Sequence, residues 1–212
     1  GLLFSAGGAG MASSAAGFIP MEYTGSAPAA SKNGTVAMLL DNDSEAEYLN
    51  MRTGHWFDIA QGITYRARLT MEVAGNSTDD MDLGLYALSG GMTATQFADI
   101  AATTAGVKRC VFHMILSSLD LCAGSDNNTT VVADTTDTTV NLVAAAYNVF
   151  DIVARPAGNC ELWVDGAQKL ATTTFAISTS GLFCGFINLE KSAGTGVPRL
   201  TVDYLRVAGG HA

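Results

Sequence analysis

Alternation of apolar and polar residues is the dominant pattern along this chain. In ITYRARLTMEV, Ile63, Tyr65, Ala67, Leu69, Met71 and Val73 alternate with Thr64, Arg66, Arg68, Thr70 and Glu72. A period of two puts one set against a core and the other toward water, which predicts a β-strand. MDLGLYALS, KRCVFHMILSSL, VFDIVARP, CELWVDG, QKLATTTF, GLFCGFINLE and PRLTVDYLRV read as further strands, separated by clusters of Gly, Asn, Asp, Ser and Thr. Asp165 and Gly166 supply the tolerance of positive φ that a tight hairpin turn requires. One short helix is predicted in MTATQFADIAATT, residues 92–104, where Phe97, Ile100 and Ala101 fall at helical spacing. The pattern predicts an all-β antiparallel sandwich over residues 31–212, with Ile63, Tyr65, Leu69, Met71, Leu162 and Val164 pointing inward.

Composition narrows the partners. At 212 residues the chain has room for one sandwich and a full core. Its charged fraction is 15%, against about 25% in typical domains, so much of the surface is expected to face protein. The net charge is −9 with only 11 Lys and Arg. No basic run exists to release counterions from phosphates, so neither nucleic acid nor an anionic membrane is an expected partner. Residues 1–30 read as an apolar N-terminal arm, too interrupted by Gly and Ser for a membrane span. Leu2, Leu3, Phe4, Phe18, Ile19 and Met21 would form an adhesive patch if left in water, which makes them the expected assembly contact.

Two stretches, FDIVARPAGNCELWVDGAQKLATTTF and GLFCGFINLEKSAGTGVPRLTVDYLRV, resemble the C-terminal half of concanavalin A-like lectin/glucanase domains. The resemblance covers roughly residues 147–207, with ITYRARLTMEV a looser match. It implies a jelly-roll of two antiparallel sheets, of the kind also found in bacteriophage virion surface and decoration proteins. Laminarinase-like members carry an ExDxxE-like run, since retaining hydrolysis needs two carboxyl groups about 5 Å apart. No such run occurs here. The nearest, NSTDDMDLG, places Asp80 and Asp82 on one strand face and reads as a solvated turn. The expectation is therefore a chain that is not an enzyme, with no catalytic residues.

Other chemistries are as sparse. His55, His113 and His211 lack metal-ligand spacing, and His113 within CVFHMIL reads as a satisfied sheet histidine. Asp41, Asp43 and Glu45 in LDNDSEAE offer oxygen ligands to Ca²⁺ without the remaining spacing of an EF-hand loop, so no metal and no cofactor is expected. Cys110, Cys122, Cys160 and Cys184 form no CxxC pair and read as buried free thiols, with Cys160 and Cys184 the pair an oxidising compartment would join. Trp56 and Trp163 are candidates for stacking on a sugar ring, although packing is the commoner role of a strand aromatic.

Two classes of function remain. One is a virion structural protein, a bacteriophage capsid decoration or head-surface protein. It would act as a homo-oligomer, a trimer by preference, bound to the major capsid protein or other virion proteins at the capsid surface. The other is a carbohydrate-binding lectin-like module that takes glycans. The apolar arm favours the first reading, and the fold serves either.

Overall fold

The computed structural model describes residues 2–8, 35–40, 42, 44, 47–53, 57–87 and 108–211. Along them run β1 (Leu2–Gly8), β2 (Val36–Leu39), β3 (Glu47–Thr53), β4 (Phe57–Val73), β5 (Asp79–Ala87), β6 (Arg109–Ile115) and β7 (Asp120–Asp126). The chain continues through β8 (Val131–Asn141), β9 (Tyr147–Ala154), β10 (Asn159–Val164), β11 (Ala167–Lys169), β12 (Phe175–Ala176), β13 (Leu182–Lys191) and β14 (Arg199–His211). All pairings are antiparallel, and no helix occurs among the described residues. The helix expected at 92–104 lies outside the described residues, as do Phe18, Ile19, Met21, Asp41, Asp43, Glu45 and Trp56.

The strands form two layers. The first runs β2-β14-β4-β9-β10, with β11 and β12 both on β10. The second runs β1-β3-β13-β5-β6-β7-β8. The layers meet where the start of β4 pairs with β13, Phe57 opposite Phe183. On the far side the Ala176 amide of β12 donates to Ser125 Oγ of β7 at 3.1 Å. Leu2, Leu3 and Phe4 lie in β1, an edge strand paired with β3 of the same chain.

The alternation read from the sequence is the alternation of the core. Ile63, Tyr65, Leu69, Met71, Leu162 and Val164 are all buried in one cluster between the layers. Val73 departs from the pattern and is 43% exposed, because it ends β4 beyond the last residues of β9 that could cover it. The polar positions of β4 form ion pairs on the outer face, Arg66 with Asp151, Arg68 with Asp203 and Glu72 with Arg199. The Tyr65 hydroxyl crosses the core and donates to the Phe186 carbonyl of β13 at 3.0 Å. Gly185 makes room for it, since a Cβ there would stand 2.9 Å from the Tyr65 ring. The β10–β11 hairpin closes as expected, Asp165 and Gly166 having φ of 50° and 78° between the paired Val164 and Ala167.

Candidate functional site

The outer face of the second layer carries a polar row that the sequence pattern does not announce. Inward residues of β5, β6 and β13, such as Leu83, Phe112 and Ile187, belong to the core cluster. Their neighbours in sequence therefore point outward. Register then aligns Asn50 of β3, Asn188 of β13, Asp82 of β5 and His113 of β6 across four adjacent strands. One step along the strands, Glu190 stands opposite Asp80. One step the other way lie Phe186, buried and edge-on to Tyr86 with ring centroids 5.0 Å apart, and buried Val111.

Within the row, Asn50, Asn188 and Asp82 are fully buried, while Asp80, His113 and Glu190 are half-buried and reach solvent. His113 Nδ1 lies 3.0 Å from Asp82 Oδ1. Asn188 Nδ2 donates to Glu190 Oε2 at 3.0 Å. Four polar atoms remain without partners: Asp82 Oδ2, Asn188 Oδ1 and both ends of the Asn50 amide. An unpaired buried polar atom costs about 1–3 kcal/mol, so four in one row, with Arg109 Nη1 also unpaired farther along the same face, are an unusual concentration.

The titratable groups are tuned accordingly. Burial by itself lowers the His113 pKa, but the Asp82 hydrogen bond and charge, with Asp80 and Asp134, outweigh it and raise the group to about 9. Burial, followed by the charges of Asp82 and Asp80, raises Glu190 to about 7, against the opposing effects of Asn188 and His113. Asp80 also rises, chiefly through burial. At neutral pH the face therefore presents an imidazolium that donates to Asp82 beside a carboxyl group near its midpoint, which equips it for both hydrogen bonding and proton transfer. Farther along β6, Arg109 forms a buried ion pair with Asp134 of β8 at 3.1 Å.

Several expectations are corrected here. Asp82 is not in a solvated turn, because β13 and β6 flank β5 and bury it completely. The turn proper is held by Asp79, whose carboxylate accepts from the Asn76 amide at 2.7 Å. Cys160 faces the core, whereas Cys184 lies on the outer face beside Tyr86. The neighbour of Cys160 is Cys110, whose thiol is pushed well up by their hydrogen bond and by burial, and all four cysteines are free. Trp163 is half-buried on the outer face of the other layer, its Nε1 unpaired, so it does not join the polar row. No cluster of three or more His, Cys, Asp or Glu suited to a metal ion occurs among the described residues. A shallow depression of about 380 Å³ beside Gly62, Arg155 and Pro156 lies in the other layer, away from these groups.

No family model matches the sequence, and no curated protein matches it. Solved structures do match. The carbohydrate recognition domain of Emp47p superposes with a TM-score of 0.57 at 8% identity, over 82% of this chain and 88% of that one. The potassium-bound carbohydrate recognition domain of Emp46p gives 0.54 at 10%, over 83% and 89%. Alginate lyase A1-II′, of polysaccharide lyase family 7, gives 0.52 at 9%, over 81% and 83%. The lyase likeness overturns the expectation that the chain is not an enzyme. That expectation tested for a single carboxylate run, whereas this fold also serves lyases, and here β5, β6 and β13 gather acids and a histidine from separate stretches. At these identities the likenesses establish architecture: the chain has a concanavalin A-like jelly-roll fold.

Proposed function

We propose that the protein is a carbohydrate-recognition domain whose binding surface is the outer face of the second layer, around Asn50, Asn188, Asp82 and His113. The observation that carries this reading is the convergence of Asp80, His113 and Glu190, which reach solvent, over a row of buried amide and carboxylate atoms left without partners. Sugar hydroxyls both donate and accept, and ligand sites place a few convergent polar groups beside apolar and aromatic ones. The carbohydrate recognition domains among the similar structures support the second of the two sequence readings over the virion structural one.

The test is a glycan array on the whole protein, followed by calorimetry on the best ligand. Asp80→Ala and Glu190→Ala are each expected to weaken binding about tenfold or more, as loss of a hydrogen bond in a partly desolvated site does, with the far-UV spectrum unchanged. Binding that survives both changes and disappears in Trp163→Ala would move the site to the other layer.

A further inference from the structure

Two of the four cysteines face one another across the core, at the edge where β12 reaches β7. Cys110 of β6 and Cys160 of β10 both belong to the core cluster, so each points from its own layer toward the other. Register places Ser125 of β7 opposite Cys110 and Phe175 of β12 opposite Cys160. The Ala176 amide, next to Phe175, donates to Ser125 Oγ at 3.1 Å. That bond draws the layers together beside both cysteines, and their thiols are hydrogen-bonded to each other.

The other two thiols are differently placed. Cys184 of β13 and Cys122 of β7 lie on the outer face of the second layer, opposite Tyr86 and His113. Both therefore point away from Cys110 and Cys160. With β5 and β6 standing between their strands, they are three strand spacings apart, about 14 Å, against the roughly 7 Å that a disulfide allows between Cα atoms.

We propose that Cys110 and Cys160 are an oxidation site, joined into an interlayer disulfide by a low-molecular-weight disulfide such as glutathione disulfide while the chain folds. The Cys160 thiol loses its proton and attacks one sulfur of glutathione disulfide, forming a mixed disulfide and releasing one glutathione thiolate. The Cys110 thiolate then attacks the Cys160 sulfur, the bond to glutathione breaks, and a second glutathione leaves. Two protein thiols give up two electrons and two protons, which depart on two molecules of reduced glutathione. In the folded chain the hydrogen bond to Cys160 and burial hold Cys110 as a thiol, and burial keeps reagents out. The exchange therefore belongs to the stage before the layers close. The bond would close a loop of about 50 residues, from β6 to β10, and so restrict the unfolded chain.

Refolding the full chain from urea in reduced and oxidised glutathione, beside a parallel sample in dithiothreitol, tests the proposal. Alkylation in denaturant is expected to mark Cys122 and Cys184 alone in the first sample and all four cysteines in the second, and peptide mapping of the first to return Cys110 linked to Cys160. The oxidised chain is expected to unfold at a urea midpoint about 1 M higher, a shift that Cys160→Ala removes. Should Cys160→Ala not fold, the peptide map of the parent decides by itself. Four alkylated cysteines after oxidative refolding, a link between Cys160 and Cys184, or glutathione left on Cys160 would each overturn the site. A Cys110–Cys160 link that lowers the midpoint would overturn it too, since the bond would then strain the docked layers rather than fit them.

Discussion

At the scale of single residues, one glycine holds the site together. Gly84 of β5 has φ of 152°, and a Cβ added there would collide with the Cys110 carbonyl oxygen and stand 2.9 Å from Val111 Cα. Both obstacles are backbone atoms of β6, so neither can turn aside. Gly84→Ala is expected to destabilise the fold by about 3 kcal/mol, the upper range for overpacking, read as a lower urea midpoint. It should also disturb the 3.0 Å contact between Asp82 and His113, two residues farther along the same strand pair. A midpoint equal to that of the parent would contradict the close approach of β5 and β6. No residue pattern marks Gly84 as unusual among the 23 glycines of the chain; only the neighbouring backbone does.

At the scale of elements, the β10–β11 hairpin shows how a locally written turn is tied to its sheet. Asp165 takes positive φ, and its carboxylate accepts from the Val149 amide and from Asn148 Nδ2 of β9, each at 2.7 Å. Asp165→Ala removes both bonds and leaves a less tolerant residue at φ of 50°. The expected loss is about 2 kcal/mol, with faster hydrogen exchange at the Val149 amide, whereas Asp165→Asn retains an acceptor and the turn preference. Unchanged exchange at Val149 in Asp165→Ala would refute the anchoring role. The turn was legible because Asp-Gly between two apolar alternations is a local signal. β8 was not, since VVADTTDTTVN is rich in Asp and Thr and carries few large apolar residues. What makes it a strand is its pairing with β7.

At the scale of the molecule, the acid–base cluster sets how stability responds to pH. Folding raises Glu190 from its ordinary 4.5 to about 7 and His113 from 6.5 to about 9. A group whose pKa rises on folding favours the folded state while protonated. The Glu190 contribution is complete below about 4.5 and lost as pH climbs through about 7. That of His113 is complete below about 6.5 and lost as pH climbs through about 9. Stability should therefore fall across this range, by at most about 1.4 kcal/mol per pH unit for each titrating group, less where solvent reaches half-buried Glu190. Glu190→Gln is expected to flatten the acidic half of the profile and to melt above the parent at pH 8. A melting temperature that rises steadily over the same range would show that these groups do not meet as described.

Period-two alternation, with the Asp-Gly hairpin and the resemblance to concanavalin A-like domains, pointed to an antiparallel sandwich, and alternation by itself named the inward face of β4 and β10, because which side of a strand a residue occupies depends only on its position along that strand. Register and strand order came from tertiary structure, since they follow from how whole apolar faces pack. They bring Asn50, Asp82, His113 and Asn188 from four separate stretches into one row. In the sequence, Asp82 resembles a turn residue and His113 a satisfied sheet position, because neither can show which strand will lie beside it. The same physics that buried them left Asp82 Oδ2, Asn188 Oδ1 and the Asn50 amide without partners, which no single strand's pattern foretells.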